Sequence, residues 1–143
     1  MPMIDVYAAS DLLPTGCDRQ VGEALTRAVL RAEGVRDPSS FHLENTAVFI
    51  HRMEPRTLQT AAHEFARGIR VQIITPPGAL TRNGQKDLVR DATATLTDLC
   101  GDPSQAQRTW VLLTEAAEGG WGIGGTAFGR EEFAALAARA AQR

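Results

Sequence analysis

The chain alternates between two hydrophobic periodicities, and the alternation occurs twice. Met3-Ile4-Asp5-Val6-Tyr7-Ala8 is an alternating segment, the pattern of a half-buried strand. A turn-forming stretch, Leu12-Leu13-Pro14-Thr15-Gly16, ends it, and Val21, Leu25, Ala28, Val29 and Ala32 then recur at helical steps. In the second half, Arg70 to Thr75 is again a strand, followed by Pro76-Pro77-Gly78-Ala79-Leu80. A second helical face follows, made of Leu88, Ala92, Thr95, Leu96 and Leu99. Val21 recurs as Leu88, Leu25 as Ala92, Val29 as Leu96 and Ala32 as Leu99, at one constant separation. Gly34 and Gly101 share that separation and suit helix C-caps, and an Asp-Pro pair follows each. Each half closes on a strand, Thr46 to His51 and Thr109 to Thr114.

This is β-α-β twice over, an internal repeat within one domain spanning 1–143. Repeat one covers 2–54, a connector 55–68, repeat two 69–126, and a C-terminal helix 130–142 carries Phe133, Leu136, Ala137 and Ala140 on one face. The connector has room for a short helix over Leu58 to Phe65. Right-handed crossovers place both helices on one face of a four-stranded sheet, an α+β fold. The opposite face lacks helices to cover it, and oligomerisation is the expected remedy.

Composition narrows the function classes. With Lys and Arg at 15 against Asp and Glu at 17, and no basic cluster, the chain is not expected to bind nucleic acid. No apolar run approaches the roughly 20 residues of a membrane span, and no signal segment opens the chain, so a cytoplasmic protein is expected. Cys17 and Cys100 are read as free thiols, and His42, His51 and His63 have no metal-ligand spacing. Neither a metal nor a cofactor is expected. The Gly122 to Thr126 stretch follows a strand and lacks the Gly-Lys-Ser/Thr of a phosphate loop, so a hairpin fits it better.

Three features together resemble the 4-oxalocrotonate tautomerase branch of the tautomerase superfamily. They are Met1-Pro2 leading straight into a strand, the β-α-β repeat, and Val111-Leu112-Leu113-Thr114-Glu115 followed by Gly119-Gly120-Trp121-Gly122-Ile123-Gly124-Gly125. The last stretch is similar to the family's strand-end segment and its aromatic-Gly-Ile-Gly-Gly turn. The resemblance covers Arg70 to Gly125 well, and the first half only in pattern and at Pro2. It implies a fused two-unit member that assembles as a homotrimer, with the bare sheet face turned to the trimer's centre.

The resemblance also implies a chemistry. Removal of Met1 exposes the secondary amine of Pro2, and an α-amino group titrates near 8 when unperturbed. Burial and neighbouring cations lower that value, making the amine a general base. Pro2 would then shuttle a proton in keto–enol tautomerisation of a 2-hydroxydienoate or arylpyruvate, a small-molecule carboxylic acid. Taken by itself, a Pro at this position is more often a strand opener that spares its N–H.

The family binds its diacid substrates with two arginines, and neither stands in place here. Thr81 occupies one position with Arg82 beside it, and Trp110 occupies the other with Arg108 two residues earlier; the first half offers Leu12 and Ala47 there. Arg82, Arg108, Trp110, Arg70 and His51 are therefore the candidate substrate-binding residues, with Trp121 as an aromatic pocket wall. An aromatic or monoacid substrate suits this set better than a diacid. Two readings compete: Pro2 as general acid in hydration or dehalogenation of unsaturated acids, for which Glu115 and Glu44 are weak water activators, or a binding protein that kept the fold and lost the site.

Overall fold

A computed structural model describes residues 1–141. The first β-α-β unit consists of β1 (Met3–Ala9), α1 (Asp18–Ala32), a five-residue helix α2 (Ser40–Glu44) and β2 (Ala47–Met53). The second consists of β3 (Ile69–Thr75), α3 (Arg82–Cys100) and β4 (Thr109–Glu115). The sheet order is β2-β1-β3-β4, parallel within each unit and antiparallel between β1 and β3. The α+β fold expected from the repeat is the one observed.

Strand parity decides what each face holds. Ile4, Val6 and Ala8 of β1 and Ile69, Val71 and Ile73 of β3 point toward the helices and are buried. They meet Val21, Leu25, Ala28 and Val29 of α1 and Leu88, Ala92 and Leu96 of α3. Each large aliphatic side chain buried this way contributes about 1.5–3 kcal/mol. Thr81 starts α3 by accepting a hydrogen bond from Gly84 N–H at 3.1 Å, and Gly101 ends it in the left-handed region at φ 66°.

Among the described residues, no helix covers the opposite face of the sheet. Phe49, Ile74, Trp110 and Leu112 are exposed there. Between them runs a polar row across all four strands. His51 Nε2 lies 2.6 Å from Asp5 Oδ1, Arg70 sits over the Tyr7 ring, and Gln72 donates to Thr114 Oγ1 at 2.8 Å.

Several local expectations need correction. The connector forms no helix over Leu58 to Phe65; it makes a short 3-10 turn at Pro55–Thr57 and a bridge between Thr60 and His63. Its apolar residues give no face to bury, and Phe65 is left exposed against Arg56. Thr46 does not start β2; its hydroxyl donates to His42 O and closes α2. The Gly-rich stretch is the expected hairpin, β5 (Trp121–Ile123) and β6 (Thr126–Phe128), turning on Gly124 and Gly125 at φ 58° and 80°. Helix α4 (Arg130–Ala141) follows; residue 142, expected in that helix, and the side chain of Ala140 lie outside what is described.

Candidate functional site

The start of β1 is sealed inside the protein. Pro2 is fully buried, and its carbonyl accepts a hydrogen bond from Ala47 N–H at 3.3 Å, which fixes it to the first residue of β2. Met1 is 7% exposed, and its amine donates to Glu33 Oε2 at 3.1 Å. Glu33 caps the C-terminal end of α1, where a carboxylate opposes the helix dipole. Its side chain is 6% exposed, and Oε1 is buried with no hydrogen-bond partner among the described residues. Burial pushes the Glu33 carboxyl above the ordinary carboxylate range, and the neighbouring amine offsets this only in part.

Met1 fills the junction of two adjoining cavities. The larger, about 560 Å³, lies between α2 and α4 and is lined by Met1, Phe41, His42, Phe133, Leu136 and Arg139. The smaller, about 220 Å³, reaches Glu33, Val35, Pro76, Pro77 and Ala79 and shares Met1, His42 and Phe133 with the first. Pro76 and Pro77 arrive here because β3 runs antiparallel to β1 and ends beside its start. His42 Nδ1 accepts from Ser39 N–H at 3.3 Å, which puts the neutral ring's proton on Nε2. Burial lowers its pKa, and the nearby N-terminal charge lowers it further.

The separation that carries Val21 onto Leu88 also carries Met1 onto Gly68 and Pro2 onto Ile69. A cavity of about 350 Å³ does lie at Gly68, lined by His63, Phe65, Arg67, Arg108 and Trp110. The chain runs on through this position, so no amine is available there. The Trp110 ring packs so closely that a Cβ on Gly68 would lie 2.4 Å from it.

The residues singled out from the sequence fall into separate groups. Arg108 and Trp110 meet at the Gly68 cavity, and Arg108 is held by Asp102 at 3.0 Å. Arg70 and His51 share the uncovered sheet face through Tyr7. Arg82 lies in the first turn of α3, donating to Gln85 Oε1 at 3.2 Å. Trp121 is buried, paired with Phe128 across the hairpin. Within one chain none of these six lines the cavities at Met1. Of the weak acid candidates, Glu115 accepts from Gly78 N–H, a structural role, and Glu44 is exposed on α2.

Sequence reasoning missed Glu33, His42, Phe133 and Arg139. Two signals were present: an acid at a helix C-terminus, and Ser39 three residues before His42 in a capping-box arrangement. Among the described residues, no three of His, Cys, Asp and Glu converge as a metal site would require. No helix of the described residues is long and apolar enough to cross a membrane.

No family model and no curated protein matches the chain. Solved structures do share its fold. A fused 4-OT described as a wild-type symmetric trimer is 14% identical with a TM-score of 0.71, over 87% of this chain and 93% of that one. A native fused 4-OT is 18% identical with a TM-score of 0.70, over 99% of both chains. N1, a member of the cis-3-chloroacrylic acid dehalogenase family, is 17% identical with a TM-score of 0.71, over 94% of this chain and 90% of that one.

Proposed function

We propose that this chain is a cofactor-independent tautomerase that interconverts the enol and keto forms of a 2-hydroxydienoate or arylpyruvate-type acid, with Pro2 carrying the proton. One observation supports this above the others: Met1, bonded directly to the buried Pro2 nitrogen, lines a cavity of about 560 Å³. Removing Met1 turns a buried peptide nitrogen into a secondary amine at the wall of a cavity large enough for such a substrate. Pro2 then moves one proton between the enol oxygen and the adjacent carbon, and the reaction is an isomerisation that consumes no co-reactant.

The walls match the substrate class. Phe41, Phe133 and Leu136 give an apolar surface for a diene or aryl group. Arg139 supplies a guanidinium for the carboxylate, in place of the arginines missing at Thr81 and Trp110. Arg82, Arg108, Arg70, His51, Trp110 and Trp121 serve substrate binding if a neighbouring copy brings them to this cavity. A homotrimer built on the uncovered sheet face supplies such copies, a reading supported by exposed Phe49, Trp110 and Leu112 and by the trimeric fused 4-OT of the same fold.

Hydration or dehalogenation of an unsaturated acid is the second reading. The carboxylate of Glu33 beside the N-terminal amine favours it, as does the shared fold with a member of the dehalogenase family. The two are separated by assaying mass-verified protein lacking Met1 on phenylenolpyruvate, 2-hydroxymuconate and cis-3-chloroacrylate. Ketonisation of either enol supports the tautomerase. Halide release alone supports the second reading, and no turnover on any of the three supports a binding protein.

A further inference from the structure

We propose that Glu33 is the positioning residue that holds the exposed Pro2 amine as a cation, so that Pro2 gives its proton to carbon before it takes one from oxygen. This inference rests on Met1 removal and on Pro2 as the proton carrier.

The argument starts from an unbalanced group. The Glu33 side chain is buried, and among the described residues its one partner is the Met1 amine, the other oxygen having none. Loss of Met1 removes that partner, and a mostly buried carboxylate left without a cation is costly. The Pro2 nitrogen lies one residue along, within about 4 Å of the Met1 nitrogen by backbone geometry. Pro2 N is therefore no more than about 7 Å from Glu33 Oε2 before any adjustment. It is the one new cation that Met1 removal creates at this spot.

The other groups around the site do not take that role. His42, from α2, has its pKa lowered by burial, and its Nδ1 is already committed to Ser39. Arg139, from α4, lines the larger cavity, and its side chain is exposed. Pro76, Pro77 and Ala79, after β3, and Phe133 bring no charge. An amine facing this carboxylate retains its proton to higher pH than one facing only apolar walls.

The order of steps follows. The Pro2 cation donates its proton to C3 of the enol as the C2–O–H bond gains carbonyl character. The neutral Pro2 amine then takes the hydroxyl proton, restoring the cation and leaving the keto acid. One C–H bond forms, one O–H bond breaks, and charge is conserved.

The test is a titration of the Pro2 nitrogen by 15N NMR, in proline-labelled protein whose mass shows Met1 absent, beside Glu33→Gln and Glu33→Asp. The expected result is a midpoint at least about one pH unit lower in Glu33→Gln than in the native chain. Glu33→Asp should keep most of that upward shift, and Glu33→Ala, expected to fall as Glu33→Gln does, serves if the Gln variant does not fold. The pH–rate profile should move with the midpoint, which a purely structural Glu33 would not cause. Equal midpoints in native and both variant proteins overturn the inference while leaving a Pro2-dependent tautomerase standing. Retained Met1 by mass overturns both together.

Discussion

The Tyr7 ring stacks on the His51 ring, with centroids 4.3 Å apart and planes 7° from parallel, in the middle of the uncovered sheet face. His51 also reaches Asp5 at 2.6 Å, and Arg70 covers the other side of Tyr7 at 5.3 Å. Exposed Phe49, Trp110 and Leu112 flank this polar row, and these large apolar side chains are the surface the proposed homotrimer would bury. If the proposed homotrimer is built on this face, Leu112→Glu should be monomeric by light scattering, with the far-ultraviolet dichroism retained. An unchanged mass in solution would mean that assembly uses another face.

Helix packing makes a sharper prediction about stability. Gly84 of α3 presses against the last residue of α1, and a Cβ there would lie 2.6 Å from the Ala32 carbonyl oxygen. The backbone cannot yield as a side chain would, so Gly84→Ala should cost about 1–3 kcal/mol in urea unfolding. Gly22, in α1, faces open space, and Gly22→Ala should stabilise by about 0.5–1 kcal/mol.

The thiols should be slow to react. Burial raises the pKa of Cys100 above the ordinary thiol value, and Cys17 and Asp102 raise it further. Less thiolate is present at a given pH, so alkylation by iodoacetamide at pH 8 should lag behind free cysteine and speed up as pH rises. Mass spectrometry of the native protein should show Cys17, which is buried, modified more slowly still.

Substrate binding has its own check. If Arg139 pairs the carboxylate, Arg139→Ala should raise KM by about tenfold or more, with a smaller change in kcat. An unchanged KM would move the carboxylate to an arginine of a neighbouring copy, such as Arg82 or Arg108.

Much of the fold was legible because periodicity reports which face of each element is buried. Val21 and Leu25, like Leu88 and Ala92, could only belong to helices lying on a sheet, and they do. The five residues of α2 are too few to show a period, and the Leu58 to Phe65 stretch had hydrophobes without a face to bury them. The candidate site was far less legible. Pro2 could be named from its place before β1, but Glu33, His42, Phe133 and Arg139 come from three helical segments. They meet only because β1 begins where α1 ends and where α4 returns. No spacing along a chain encodes such a meeting. Arg82 and Arg108, named because they stand beside Thr81 and Trp110, reach Gln85 and Asp102 within one chain.

The measurement that bears most directly on the account is the rate of phenylenolpyruvate ketonisation by protein lacking Met1, beside its Pro2→Ala variant. The account predicts turnover in the native protein and a loss of at least about a hundredfold in the variant, the usual scale for removing a general acid or base. Equal rates in the two proteins would contradict it.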